Sequence, residues 1–274
     1  MRPDRLAELT TLTSHILSKN VVTIRELRSY VGKCQSMASL LFTWRPFLSM
    51  LWAALYCEDT GGAPSNCIWT KQILEPLTWI SEFLTQEHGC VYRIFECDTF
   101  FNRGDKVILY FDASTTGFGS VMECNGVCIK HMSGRFNDLD CRVLNVTNEG
   151  SKAQQSFEAL ALLITFREWL PFLRDHRCCL SVRGDNMAAL SLLCRMQPKS
   201  PSLNLVAREL ALAISLGSYL PDIVQHIPGV SNTIADALSR RFEVANFVLP
   251  SQLEYSYEHV PEVRDEAWWL TRRV

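Results

Sequence analysis

Four acidic residues lie where a carboxylate could do chemistry. Asp112 follows the apolar run VILYF, and Asp185 follows the run CCLSVRG. Glu158 lies in a helical pattern that is apolar on nearly every side, so a cation or hydrogen bonds must offset the cost of burying its charge. Asp236 lies in the first turns of a helix that follows the turn PGVSN. These positions make the four acids candidates for metal ligands.

Each acid alone has an ordinary structural explanation. Asp112 fits a turn, Asp185 a helix N-cap, Asp236 the first turns of a helix, and Glu158 a helix rim. Together, however, they come from four different elements, separated by 46, 27 and 51 residues. Carboxylates that converge on one sheet edge repel each other without cations, and oxygen ligands select hard divalent ions such as Mg²⁺. Two such ions about 4 Å apart are a common device for phosphodiester cleavage.

The elements that must position these acids form an α/β pattern from residue 107 onwards. Asn125–Gly126 suits a type I′ turn between two strands, 115–120 is predicted as a turn, and 133–153 as a polar loop. An antiparallel meander followed by helix–strand crossovers predicts a mixed sheet with helices on its faces. The predicted strands are 107–114, 121–124, 127–132, 178–184 and 222–227, and the predicted helices are 155–173, 187–196, 203–218 and 233–241.

The region before residue 105 has a different, mainly helical pattern. Helices are expected in 1–57 and 69–86, with a loop between them. Residues 36–57 are long enough to span a bilayer, but Arg45–Pro46 near the middle favours two short buried helices that meet there. We therefore expect three parts, a helical region 1–104, an α/β domain 105–243 and a C-terminal tail 244–274.

Composition and charge indicate an ordinary globular protein. Hydrophobic residues make up 47% of the chain, and 27 basic against 29 acidic residues give a net charge of −2. The 11 cysteines are irregularly spaced and contain no C-x-x-C pair, which argues against a zinc site or a disulfide framework. No secretory signal or membrane span is expected, so we predict an intracellular protein, cytoplasmic or nuclear.

The four acids lie in, or directly beside, short motifs that follow one another in the chain, namely FDAS, SFEALALL, GDN and HIPGVSNTIADALSR. In this order the motifs resemble the ribonuclease H domain of retroelement reverse transcriptases of the LTR or DIRS-like type. The resemblance covers about residues 105–243 and implies a ribonuclease H-like fold, a five-stranded mixed sheet with flanking helices. Residues 20–57 resemble the thumb and connection segment before that domain.

The resemblance implies hydrolysis of the RNA strand of RNA–DNA hybrids with two Mg²⁺ ions, or with Mn²⁺. Asp112 would bridge both ions, Glu158 and Asp185 would complete one site, and Asp236 the other. One ion would activate the attacking water and the other would stabilise the leaving 3′ oxygen. Ser114 and Asn186 are candidates for contacts with the nucleic acid. The implied partners are the hybrid and the remainder of a reverse transcriptase.

Several cations are candidates for contacts with phosphates. Arg167, Arg174 and Arg183, together with His176 and Arg177, cluster in sequence around the elements that hold Glu158 and Asp185, and Lys199 lies on a nearby loop. The cations of the helical region, among them Arg45, are also candidates for contacts with nucleic acid. The alternative interpretation is that they lie on an ordinary solvated helix face.

The chain departs from the ribonuclease H pattern in two ways. Many ribonucleases H carry a histidine on the loop before the last acid, whereas the loop PGVSN has none and His226 precedes it on a strand. The chain also contains no Asp-Asp pair, so the palm motif of a polymerase is missing. Two other interpretations therefore stay open, namely a catalytically silent nucleic-acid-binding or scaffolding module, and a nuclease or transposase of the same fold.

Overall fold

The computed structural model describes residues 3–59, 61–87, 91–92, 97, 101, 103–146, 151–175, 178–217 and 221–272. His176 and Arg177, two of the candidate cations, lie outside these residues. Asn102 at the expected domain boundary also lies outside them.

The α/β part is built on a six-stranded mixed sheet with the order β7-β6-β3-β4-β5-β8. Strands β3, β4 and β5 form an antiparallel meander, whereas β6 is parallel to β3 and β7 is parallel to β6. This arrangement confirms the predicted mixed α/β sheet. The strands are β3 Lys106–Ala113, β4 Gly117–Cys124, β5 Val127–Arg135, β6 Cys179–Gly184, β7 Ile223–His226 and β8 Tyr257–Glu258.

In the described part of residues 105–272, five α-helices accompany this sheet. The longest, α6, is apolar around most of its circumference because it packs both on strands β3 and β4 and against α8. Helix α9 lies on the sheet over β3, β4 and β5. The bounds are α5 Asp138–Leu144, α6 Ser151–Asp175, α7 Met187–Arg195, α8 Pro201–Gly217 and α9 Thr233–Ser239.

The turn between β4 and β5 follows the sequence prediction. Asn125 and Gly126 both have positive φ, 50° and 85°, as a type I′ turn requires. The prediction was wrong at two other places. Residues 117–120, expected in a turn, belong to β4. Glycine occupies positions 117 and 119 because neighbouring atoms leave no room for a Cβ there, and not because the chain turns. Within the expected loop 133–153, helix α5 begins with a capping box formed by Asn137 and Asp140.

Among its described residues, the helical region contains four helices and a small two-stranded sheet that the sequence did not predict. Pro46 lies in the first turn of α3, where proline is tolerated, and not in the middle of one long helix. No helix among the described residues is long and apolar enough to cross a membrane. The elements are α1 Pro3–Leu17, β1 Val21–Thr23, α2 Ile24–Ala38, α3 Arg45–Leu55, β2 Cys67–Trp69 and α4 Leu74–Thr85.

The helical region packs against the α/β part through helix α8. Arg208 on α8 forms an ion pair with Glu75 on α4, and Asn204 donates to Ser49 Oγ at 3.0 Å. One hydrophobic core extends from α1–α4 into the sheet and α6–α8. The two regions therefore share their interior.

The C-terminal tail packs on the α/β part. Arg264 and Asp140 form an ion pair whose side chains are 6% and 0% exposed. Trp268 and Trp269 are buried, and Glu209 of α8 accepts hydrogen bonds from Leu270 N and Thr271 N. The tail also supplies β8, a sixth strand beyond the five that the resemblance implies.

Candidate active site

Three of the four predicted acids come together. Asp112 lies on β3, Glu158 lies on α6, and Asp185 directly follows β6. Each offers a carboxylate oxygen, and these three atoms all lie within 4.8 Å of one another. Asp112 and Glu158 are 4% and 5% exposed, whereas Asp185 is partly exposed. The cluster therefore has one open side.

Asp112 is held by two side chains from the opposite end of the chain. Ser239 donates to Asp112 Oδ2 at 2.7 Å. Asn232 donates from Nδ2 to the carbonyl oxygen of Phe111 at 2.9 Å, and the same nitrogen lies 3.5 Å from Asp112 Oδ1. These contacts fix the carboxylate at the end of its strand.

Glu158 is only partly satisfied. Gln154, one turn earlier on α6, lies 3.1 Å from Glu158 Oε1 and donates to the carbonyl oxygen of Ala113 at 2.6 Å. The other carboxylate oxygen, Oε2, is buried and has no hydrogen-bond partner. A buried unsatisfied carboxylate oxygen is costly, so this atom is an open ligand position.

Asp185 does not cap the following helix. Asn186 does so instead, because its side chain accepts from Ala188 N and Ala189 N at 2.9 and 3.1 Å. The Asp185 side chain is left to face the cluster. His226, on strand β7 as predicted, places Nε2 3.1 Å from the backbone oxygen of Asp185.

Asp236 is not one of the three clustered acids. Its side chain is 45% exposed and forms an ion pair at 2.8 Å with Arg240, the residue that directly follows α9. Helix α9 reaches this position because Gly119 has no side chain. A Cβ there would lie 2.4 Å from Ala235 O and 2.5 Å from Leu238 Cβ.

Burial and like charge raise the pKa values of two of the clustered acids, Glu158 and Asp112. Burial first, and then the charges of Asp112 and Asp185, raise the pKa of Glu158 to about 9. Burial also raises the pKa of Asp112 to about 6, against the opposing hydrogen bond from Ser239. These two carboxyls therefore bind protons readily when no cation is close to them.

The cluster fits a hard divalent cation. All its donors are carboxylate oxygens from three separate elements, one of them is orphaned, and their mutual repulsion is what a cation would relieve. Asp112, Glu158 and Asp185 would hold such an ion. Asp236 stands near enough for its charge to raise the pKa of Asp112.

Three of the other predicted site residues either make contacts inside the fold or lie far from the carboxylates. Ser114 is buried, donates to Ser239 O at 3.1 Å and accepts from Gly117 N, so it stabilises the turn after β3. Arg167 is engaged inside the fold with Glu209 and the carbonyl oxygen of Trp268. Arg174 is exposed, 16 residues beyond Glu158 on α6, or about 24 Å along the helix axis. The structure thus does not bring Arg167 and Arg174 to the carboxylates.

Arg183 and Lys199 are placed differently. Arg183 is on β6, two residues before Asp185. Lys199 follows the C-terminal end of α7 and lines a cavity of about 590 Å³ together with Arg195 and His226. Asn186 lies next to this cavity, since the following residue, Met187, is also part of its lining.

Sequence reasoning missed the residues that support the acids. Asn232 and Ser239 lie four residues before and three residues after Asp236 on one short helix. This spacing places the three residues on one helix face, so the segment NTIADALS could have predicted that Asn232 and Ser239 lie beside the acids. Gln154 precedes Glu158 by four residues and carried the same kind of signal.

Neither a family model nor a curated protein matches the sequence. Similar solved structures include RNase H1 from Halobacterium salinarum NRC-1, with 23% identity over 48% of this chain and 93% of that chain, and a TM-score of 0.35. An N-terminal RNase H domain from Mycobacterium tuberculosis, solved as a fusion with maltose-binding protein, has 16% identity over 49% of this chain and 91% of that chain, and a TM-score of 0.33.

A foamy viral protease-reverse transcriptase in complex with double-stranded DNA is a further similar structure. The identity is 14% and the TM-score 0.28, and the match covers 77% of this chain and 36% of that chain. Two of these three similar structures are RNase H domains, and the third contains a reverse transcriptase. The mixed sheet and flanking helices described above are an α/β fold.

Proposed function

We propose that this chain hydrolyses the RNA strand of RNA–DNA hybrids with the help of divalent metal ions, Mg²⁺ first and Mn²⁺ as a substitute. One observation carries the proposal. Three carboxylates from three separate elements meet within 4.8 Å, and a buried oxygen of Glu158 has no partner. A cluster that repels itself in this way needs cations, and hydrolysis of phosphodiesters is the chemistry that such cations support.

The residues divide the work as follows. Asp112 is the central ligand, held by Ser239, with Glu158 and Asp185 on either side. Asp236 is proposed as the ligand that completes a second metal site, which requires it to exchange its ion pair with Arg240 for a metal ion. Bound Mg²⁺ supplies an activated water and stabilises charge on the leaving oxygen.

The substrate is proposed to lie across the open side of the cluster. Asn186, which caps the N-terminus of α7 next to Asp185, and Lys199, which lines the cavity beyond the other end of α7, are proposed to contact the strand. We further propose the division into 1–104, 105–243 and 244–274, an origin in a retroelement reverse transcriptase, the rest of that polyprotein as a partner, and an intracellular site of action.

Cleavage of an end-labelled RNA–DNA hybrid by the full chain tests the proposal. The full chain is required because Arg264, Trp268 and Trp269 of the tail are part of the fold. With Mg²⁺ we expect cleavage of the RNA strand only, no cleavage of double-stranded RNA, and a loss of at least 100-fold in Asp112→Asn. The exposed Asp138→Asn on α5 is the matched control and should retain full activity.

Three other outcomes would replace this proposal. Binding of the hybrid without cleavage, by a folded protein that also fails to bind Mg²⁺, would indicate the catalytically silent module. Cleavage of double-stranded DNA in preference to the hybrid would indicate the nuclease or transposase alternative. Equal activity of wild type and Asp112→Asn would remove the carboxylate cluster from the reaction.

A further inference from the structure

A row of three side chains crosses the sheet beside the carboxylates. Tyr110 on β3, Arg183 on β6 and Gln225 on β7 are paired in register on adjacent strands. Arg183 donates from Nη1 to the hydroxyl of Tyr110 at 3.0 Å and from Nε to Gln225 Oε1 at 3.1 Å. Two neighbours therefore hold the guanidinium in one orientation.

The charge of Arg183 is not neutralised by the partners that hold it. In the part of the chain that the structure describes, Arg183 pairs with no carboxylate, and both of its acceptors are neutral groups. The Glu123 carboxylate reaches the row only through the Tyr110 hydroxyl, at 3.5 Å. A guanidinium has five N–H donors, and two of them are used here.

Three other partly buried arginines have a carboxylate partner, whereas Arg45 donates to the carbonyl oxygens of Ala38 and Arg195. Arg264 pairs with Asp140, Arg167 with Glu209, and Arg208 with Glu75. In these three cases a carboxylate neutralises the arginine that stabilises the fold. Arg183 has a fixed orientation and an open charge, which is the arrangement of an anion-binding group.

The row lies next to the carboxylate cluster and ends at the exposed edge of the sheet. Tyr110 precedes Asp112 by two residues in β3, so both side chains lie on the same face, about 7 Å apart along the strand. Arg183 precedes Asp185 by the same number of residues. Helix α9 covers β3, β4 and β5, while Gln225 on the edge strand β7 is exposed.

We propose that Arg183 binds a phosphodiester of the substrate strand, next to the one held at the carboxylate cluster. This inference rests on the proposed function, because it assumes that a nucleic acid strand runs across the cluster. Tyr110 and Gln225 are positioning residues that aim the guanidinium. The ligand is the sugar–phosphate backbone, in which each phosphodiester carries a negative charge and two non-bridging oxygens that match the fork of an arginine.

Salt-dependent binding by the full chain tests the inference. Affinities for an RNA–DNA hybrid and for double-stranded DNA are measured in EDTA over a range of KCl concentrations, for wild type, Arg183→Gln, Arg183→Lys and Tyr110→Phe. Arg174→Gln, exposed and about 24 Å from Glu158 along α6, is the matched control. Melting temperatures confirm that each variant is folded.

We expect Arg183→Gln to weaken binding to both duplexes about tenfold at low salt and to reduce the slope of log K against log [KCl] by about 0.9, the value for one phosphate contact. Arg183→Lys should keep the slope and lose part of the affinity, because lysine keeps the charge without the fork. Tyr110→Phe should weaken binding at an unchanged slope.

A slope and affinity for Arg183→Gln that match those of Arg174→Gln would overturn the inference and leave Arg183 as a brace of the sheet. This outcome is distinguishable from failure of the proposed function. In that case wild type would not cleave the hybrid in Mg²⁺, whereas the slope in EDTA would still report whether Arg183 contacts a phosphate.

Discussion

The hydroxyl of Ser239 lies 2.7 Å from Oδ2 of Asp112, to which it donates, although the two residues are 127 positions apart in the chain. The same hydroxyl lies 2.9 Å from the backbone oxygen of Asp236. Helix α9 therefore both orients the central carboxylate and carries the fourth acid. The position of this one short helix links the two metal sites that we propose.

Removal of this hydroxyl should change the pH dependence of the reaction. The hydrogen bond from Ser239 lowers the pKa of Asp112 against the effect of burial, and the net result is a pKa of about 6. Without the donor, Asp112 stays protonated to higher pH. We expect Ser239→Ala to shift the acid limb of the cleavage rate to higher pH and to require more Mg²⁺ at neutral pH. Ser36→Ala, on the exposed face of α2, is the control. An equal loss at every pH would assign Ser239 to packing alone.

The close approach of α9 to the sheet should depend on Gly119. A Cβ at this position would lie 2.4–2.5 Å from backbone and side-chain atoms of α9. We expect Gly119→Ala to lower the free energy of unfolding by about 1–3 kcal/mol and to reduce cleavage more than stability alone explains, because Asp236 moves with the helix. Chemical denaturation and the cleavage rate measure the two effects.

Gly32→Ala is a matched control for this substitution. Gly32 lies in α2, and nothing stands within 4 Å of a Cβ there. Alanine should stabilise that helix by about 0.5–1 kcal/mol and leave cleavage unchanged. If Gly119→Ala and Gly32→Ala had the same stability and the same cleavage rate, the close approach of α9 to the sheet would not be required for cleavage.

The sequence predicted the sheet and the position of the acids because those features are local. Apolar runs mark β3 and β6, the Asn125–Gly126 pair marks the hairpin, and Glu158 stands out as a charge in an apolar helix. Gly119 was assigned to a turn because glycine usually signals one. Its reason for being glycine is the backbone of α9, which lies more than 110 residues away in the chain.

The supporting contacts were not predictable for the same reason. Ser239 and Asp112 meet only after the chain has folded, and so do Arg264 and Asp140. For Arg167, in contrast, the sequence suggested a contact that the structure does not contain. Its place near Glu158 in sequence suggested a contact with phosphates, whereas its buried partner Glu209 comes from a different helix.

Glu158 should destabilise the metal-free protein at high pH. Its pKa in the folded protein is about 9, above the ordinary value of 4.5, so its contribution to stability is complete below about pH 4.5 and is lost as the pH rises through 9. Gln at this position stays neutral. In EDTA we expect Glu158→Gln to melt several degrees above wild type at pH 9, with little difference at pH 5.

Mg²⁺ should reverse this order. The ion binds the folded wild type and raises its melting temperature, whereas the variant lacks one of the three ligands and gains less. Glu58→Gln, in the exposed loop after α3, should follow wild type under all conditions. If the difference in melting temperature between Glu158→Gln and wild type were the same at every pH, the result would contradict the raised pKa of Glu158.

The tail should be required for stability because of Arg264. Its guanidinium donates to Asp140 and to the carbonyl oxygen of Arg135, and it lies over the ring of Phe118 at 5.1 Å. In Arg264→Ala the Asp140 carboxylate would remain wholly buried without its cation. Removal of one partner of a buried pair costs about 3–5 kcal/mol, which corresponds to a fall in melting temperature of about 10 °C.

The exposed Arg142→Ala on α5 is the matched control and should stay within about 0.5 kcal/mol of wild type. Limited proteolysis gives an independent measure, because Arg264→Ala should expose the segment after residue 250 to cleavage while the sheet stays resistant. If that segment were cleaved equally fast in wild type and the variant, the ion pair would not hold the tail.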